Sequence, residues 1–267
     1  MTGEHPARAA PANAGDDARG ARSRVKFARV LEEDPGLGEG LDEPQLTNAT
    51  EVARAAVMHL SPGEWQPEAW PTSIRAGFGL LVLDGLLLRR VMLGDRIGVE
   101  LLSNGDVLRP WQREDAASSV PPHLGWQVLE PCRLAVLDLE FAKRTSAFPQ
   151  IPAQLIARAI SRSRHFAVNM AIVQQPKVET RLHMLLWHLA DRWGTVSPRG
   201  VLVPVRLTQP LLAALVAAQR PTVSAALATL ERDGRLTRTD GTWLLHGGPP
   251  GELQLAPEPR MPTAASS

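Results

Sequence analysis

The sequence predicts an α+β chain in three parts: an N-terminal antiparallel β-roll of jelly-roll type, a long helix, and a C-terminal winged helix-turn-helix. Three observations carry this reading. Short apolar runs punctuated by turn residues recur from Ala55 to about Asp138. Ile151–Val173 then carries apolar residues at helical spacing with no breaker after its first turn. Last, Arg206–Leu236 (RLTQPLLAALVAAQRPTVSAALATLERDGRL), followed by TRTDGTWLLHGG, reads as two short helices, a tight turn and a hairpin.

The elements follow in order. Residues 1–24 are small, charged and Pro/Gly-bearing without periodicity, the composition of a disordered tail. Residues 25–148 hold the roll, after a short helical lead-in over Val25–Val52. Its strand candidates are AAVMHL, GFGLLVL, LLLRRVML, RIGVELL, VLRPWQ, WQVLEP and RLAVLDL. Leu83-Asp84-Gly85-Leu86 and Leu93-Gly94-Asp95-Arg96 read as hairpins. Cys132 falls in an apolar run and reads as a buried strand residue. Leu139–Thr145 leaves the roll as a short helix.

Residues 149–175 form the long helix, a rod of about 35 Å. Leu155, Ala159, Phe166 and Met170 make one stripe, with Ile156, Ile160, Ser163 and Ala167 beside it. A face this wide can pack on the roll and on a second copy, so Ile160, Phe166 and Met170 are the candidate dimer residues; a core helix of a monomer is the alternative. Pro176 breaks the rod, and Lys177–Trp193 is a further amphipathic helix ending at Gly194. Residues 176–246 make the winged domain, and the Pro-rich 247–267 reads as a tail.

Within the winged domain Thr208 can cap the first helix, and Pro210 is tolerated in its first turn. Leu211, Leu212, Leu215 and Val216 form its apolar stripe. Ala217 and Ala218 are small enough for a tight corner. Pro221 opens the second helix, Val223, Ala226, Leu227 and Leu230 bury one face, and Gly234 ends it. Asp240-Gly241 is a two-residue hairpin signal. This order of features is a device for placing a helix in the major groove of double-stranded DNA.

Charge agrees. Residues 1–150 carry 16 Lys and Arg against 21 Asp and Glu, whereas residues 151–246 carry 12 against 5. The basic half holds the helix-turn-helix, as a phosphate-binding module would.

At these residues the chain resembles the Crp/Fnr family of bacterial transcription regulators. The matching pattern is Leu207-Thr208, RPTVS at Arg220–Ser224, ALATLE at Ala226–Glu231, Gly234, and GTWLL at Gly241–Leu245. The resemblance implies a sensor roll, a dimerising helix and a DNA-binding domain, with DNA, a second copy and RNA polymerase as partners. The chain departs from better-known members at the recognition helix, where Pro221 and Ala225 replace an acidic residue and a second arginine, and Gln219 replaces a serine. Arg220 and Ala225 are therefore the candidate base contacts, and Thr208, Gln219, Thr222, Ser224, Arg235, Arg238 and Thr242 the candidate backbone contacts.

The resemblance also raises a cyclic nucleotide. Asp106 could imitate the ribose-binding glutamate, with Arg109 and Arg113 nearby, but no arginine precedes a small-residue turn at the required place. These three residues form a weak candidate pocket, and a cyclic nucleotide is not expected. Trp65, Trp70, Trp111 and Trp126 fall in or beside the roll and suit either a core or an apolar pocket. A lone Cys132 excludes a four-cysteine cluster within one chain. The seven histidines lack metal-ligand spacing, although haem on one axial histidine leaves no spacing signature. No catalytic elbow or phosphate loop is present, so no enzyme activity is expected. The rival reading is a roll-fold ligand-binding protein or cupin-like metalloenzyme whose C-terminal helices serve oligomerisation. No signal peptide or spanning segment is visible, so a cytoplasmic location and no membrane partner are expected.

Overall fold

Two fifteen-residue strands organise the N-terminal half of the computed structural model, which describes residues 26–67, 70–111, 119–239 and 241–251. The chain enters through β1 (Phe27–Arg29), α1 (Val30–Glu33), a 3-10 turn (Pro35–Gly38) and α2 (Glu43–Val52). An Asp42–Gln45 capping box starts α2: the Asp42 carboxylate accepts from the Gln45 amide, and the Gln45 side chain accepts from the Asp42 amide. Then come β2 (Arg54–Leu60), β3 (Gly63–Trp65), α3 (Thr72–Arg75), β4 (Gly79–Leu93), β5 (Arg96–Leu102), β6 (Val107–Leu108) and β7 (His123–Leu137). They form one antiparallel sheet in the order β1-β2-β7-β4-β5, with β3 on β7 and β6 on β4.

The hairpin expected at Asp84-Gly85 is instead a bulge inside β4. Strand β4 continues along β7 on both sides of it, with register shifts between Val82 and Leu87. The reason is steric. Gly85 sits at φ +96°, and a Cβ there would lie 2.2 Å from the Pro131 carbonyl oxygen and 2.7 Å from the Cys132 sulfur. The two backbones touch, and only glycine lets the strand bend without leaving the sheet. The hairpin at Gly94-Asp95 does form, joining β4 to β5.

This bend gives the sheet three apolar surfaces. Leu80, Val82, Leu87, Leu102, Trp126 and Val128 turn inside the roll with Trp65, Trp70 and Trp111. Cys132 is buried among them, and burial pushes its thiol up to about 11. Leu81, Leu83 and Leu137 face outward onto Phe141, Ile151 and Leu155. Leu86, Leu88, Val99 and Leu101 join the core of the C-terminal half.

That half consists of α4 (Leu139–Arg144), α5 (Gln150–Val173), α6 (Val178–Trp193), β8 (Thr195–Ser197), β9 (Gly200–Val203), α7 (Gln209–Leu215), α8 (Arg220–Arg232), β10 (Leu236–Thr239) and β11 (Thr242–Leu245). The strands form a second antiparallel sheet, β10-β11-β9-β8. No local signal predicts its β8–β9 half, because GTVSPRGVLV is short and lacks alternating polarity. No single helix among the described residues is long and apolar enough to cross a membrane.

Candidate nucleic-acid interface

The helix-turn-helix is built from α7 and α8, which meet at 98°. Thr208 N-caps α7, its hydroxyl accepting from the Leu211 amide at 3.4 Å. Leu211, Leu212, Val223, Ala226, Leu227 and Leu230 are buried in one core with Leu182, Leu185 and Leu186 of α6.

The corner between the helices requires a left-handed residue, and Ala217 supplies it at φ +50°. Arg181 holds this corner from α6. One guanidinium nitrogen donates to the Val216 carbonyl at 3.1 Å and the Ala217 carbonyl at 3.3 Å. Its Nε donates to the Gln175 carbonyl at 2.5 Å, tying the corner to the α5–α6 connection.

Burial of one face of α8 fixes what the other presents. Arg220, Pro221, Thr222, Ala225, Ala228 and Arg232 are exposed, as is Gln219 at the N-cap. Ser224 is half-buried, and its hydroxyl donates to Gln209 Oε1 at 2.8 Å. That hydroxyl braces the two helices.

The wing is the β10–β11 hairpin, paired from Leu236↔Leu245 to Thr239↔Thr242. Asp240 of its turn lies outside the described residues. Gly241 has φ +81°, and the Thr242 hydroxyl donates to the Thr239 carbonyl at 2.6 Å. Arg235 and Arg238 are exposed, with the Arg238 guanidinium 5.5 Å from the centre of the buried Trp243 ring. Arg206 was not singled out in the sequence, yet its exposed side chain runs beside the wing tip: a Cβ on Gly241 would lie 3.8 Å from Arg206 Cγ. No sequence signal places it there, because strand pairing decides where the wing tip falls. Among the described residues, the exposed Arg206, Arg220, Arg235 and Arg238 form no salt bridge, which leaves four cations for a polyanion.

The residues expected to form a ligand pocket do not converge. Asp106 faces α6, where both carboxylate oxygens accept from one Arg192 nitrogen at 3.0 and 2.8 Å and one also accepts from the Ser103 amide at 2.8 Å. Burial pushes the Asp106 carboxyl up, more than Arg192 and the Ser103 amide lower it. Arg109 turns the other way, donating to the Arg75 carbonyl at 2.5 Å beside Trp111. Arg113 lies outside the described residues. Asp106 and Arg109 are three residues apart across β6, and strand alternation sends side chains at an odd separation to opposite faces.

Asp106 belongs to a charged joint that sequence spacing could not reveal. Glu100 on β5 is gripped by Arg162 of α5 at 2.6 and 2.8 Å and by Arg89 of β4 at 2.9 Å. Burial raises the Glu100 carboxyl, but the Arg162 hydrogen bond and the charges of Arg162, Arg89 and Arg192 carry it below its usual range. Arg158 of α5 pairs with Asp34 and also donates to the Gly105 carbonyl. A cleft of about 430 Å³ opens between these groups.

On α5, Ile156, Ile160 and Met170 are 61%, 50% and 51% exposed. Phe166 departs from the dimer stripe: it lines a small cavity with Leu185, His188 and Leu215. Its face of the helix is taken by α6, which periodicity alone could not assign.

Residues 180–246 match the Crp-like helix-turn-helix domain family. The fold is similar to that of a CooA mutant from Carboxydothermus hydrogenoformans, at 18% identity and TM-score 0.56, over 83% of this chain and 93% of that one. It is also similar to a cyclic nucleotide-binding domain containing protein from Listeria monocytogenes EGD-e, at 18% identity and TM-score 0.57, over 71% and 88%. FixK2 from Bradyrhizobium japonicum is a third, at 18% identity and TM-score 0.53, over 72% and 93%. No curated protein matches the chain. Residues 180–246 thus match the Crp-like helix-turn-helix domain, carried on a chain that shares the fold of the CooA mutant and of FixK2.

Proposed function

We propose that the protein is a sequence-specific DNA-binding regulator that acts as a homodimer. The carrying observation is the exposed first turn and outer face of α8 together with a wing that exposes Arg235 and Arg238. Arg220 stands at the start of α8, where side chains enter the major groove, and makes the main base contact. Ala225 touches a thymine methyl. Thr208, Gln219, Thr222, Arg206, Arg235, Arg238 and Thr242 contact the backbone. In this reading residues 25–148 are the sensor roll, 149–175 the dimerising helix and 176–246 the DNA-binding domain.

Exposure of Ile156, Ile160, Ser163, Ala167 and Met170 at seven-residue spacing along α5 supports the dimer. Two-fold pairing then gives two half-sites. The Asp106 carboxylate is spent on Arg192, which favours a roll whose effector is not a cyclic nucleotide held through this carboxylate.

The outer face of α8 offers few hydrogen-bonding side chains, so much of the affinity is electrostatic and the half-site is short and A·T-leaning. In-vitro selection with a salt titration tests this. A long motif with several fixed G·C positions and little salt dependence would overturn it. Sedimentation of Ile160→Glu tests the dimer: the expected product is a folded monomer, and an intact dimer would place the seam elsewhere.

A further inference from the structure

His165 and His188 are twenty-three residues apart, on different helices. Their rings nevertheless meet between α5 and α6, with centroids 5.1 Å apart and planes tilted by 57°. They border a cavity of about 30 Å³ lined also by Val99, Phe166, Asn169 and Leu189. Asn169 Oδ1 is buried there with no hydrogen-bond partner among the described residues. His165 Nε2 lies 3.2 Å from Ser161 Oγ. His165 also lines the open cleft beside Asp106 and Arg192, so protons reach it from solvent.

We propose that this joint is an acid-sensitive switch: His165 and His188 are neutral while α5 and α6 are packed, and proton uptake by the pair separates the two helices. The charged groups facing the pair are few. From α6 come Arg192 and Asp191, from the turn before β6 comes Asp106, from β5 comes Glu100, and from α5 comes Arg162. Glu100 is already saturated by Arg89 and Arg162, and Asp106 by Arg192. Asp106 and then Asp191 raise His165, and Asp191 and a hydrogen bond to the His165 backbone raise His188, but burial and the neighbouring positive charges outweigh them.

Burial is the first cause lowering both imidazoles, followed for His165 by Arg192 and for His188 by His165 and then Arg192. A histidine held below its free value of about 6.5 binds fewer protons in the packed joint than in the opened one. Packing is then at full strength at neutral pH and is lost as pH falls from the free value through the lowered one. Each unit by which an imidazole is lowered makes opening about tenfold easier once that site is protonated. The consequence reaches the winged domain because α6 opens that domain and its Arg181 holds the corner between α7 and α8.

The test uses full-length, DNA-free protein, so failure of the DNA-binding reading leaves it intact. NMR titration of the histidine side chains is expected to find both imidazoles titrating below the free value. Amide exchange over residues 150–193, corrected for intrinsic rates, is expected to rise at least tenfold from pH 7.5 to 5.5. The His165→Gln, His188→Gln double variant should lose that pH dependence while staying folded at pH 7.5. Titration of both wild-type imidazoles at or above the free value overturns the proposal. So does a double variant that keeps the wild-type exchange profile. Should the double variant not fold, the wild-type titration and exchange decide alone.

Discussion

Two joints of the molecule, one beneath the winged domain and one on a flank of the roll, are built from opposite chemistry. The winged domain continues one apolar core, from Leu88 and Leu101 on the roll through Leu185 and Leu189 of α6 to Leu212 and Val223. On another flank the roll meets α5 and α6 through Glu100, Asp106 and Asp34, gripped by Arg89, Arg162, Arg192 and Arg158. An apolar seam loses stability gradually, in proportion to the surface removed. A buried charged joint holds only while every charge keeps its partner, because a bared charge is costly in low dielectric. The first kind of contact holds α7 and α8 in place; the second ties α5 and α6 to the roll.

The largest effect should come from breaking one buried ion pair. Arg192 and Asp106 side chains are 11% and 10% exposed, and Arg192→Ala should cost about 3–5 kcal/mol in urea unfolding. Replacing both by leucine should recover more than half of that loss. Equal losses for the single and double variants would show that the joint is not a coupled pair, and the contrast with the apolar seam would fall.

On the apolar side, Leu212 is fully buried, and Leu212→Ala should cost about 2–5 kcal/mol. This loss should not change between low and high salt, and a strong salt dependence would blur the same contrast. Arg220→Ala should cost about 1–3 kcal/mol of affinity for the selected operator and much less for random DNA, read by fluorescence anisotropy. Equal losses on both would reduce Arg220 to a phosphate contact.

The smallest effect sharpens the picture of the corner. Ala217 holds a conformation that L-residues resist, so Ala217→Gly should raise stability by roughly 0.5–1 kcal/mol after the entropy glycine adds to the unfolded chain. A destabilised variant would mean that Ala217's methyl group contributes more packing than the backbone strain costs.

Legibility differed along the chain in the same way. The helix-turn-helix was readable because its signals are local: a cap at Thr208, a proline at Pro221, a four-residue stripe from Val223 to Leu230, a glycine at Gly234. The Asp84-Gly85 bulge carries the same dipeptide as a hairpin. What decides between them is a second backbone, at Pro131 and Cys132, pressed against Gly85. Phe166 sits on an apolar face that periodicity identifies, but not with the neighbour it meets. His165 and His188 meet across two helices, and spacing along the chain says nothing about helices that cross.

The sequence by itself determined the α+β class, the order of roll, long helix and helix-turn-helix, the buried and exposed faces of α8 and the charge of the C-terminal half. These follow from propensity, period and composition, which are properties of neighbours in the chain. Tertiary structure alone decided which carboxylate meets which arginine, that Arg206 reaches the wing, and that two histidines share one cavity. Each depends on helices and strands that lie far apart in sequence and are brought within a few ångströms by burial of the apolar faces, and no local pattern encodes that meeting.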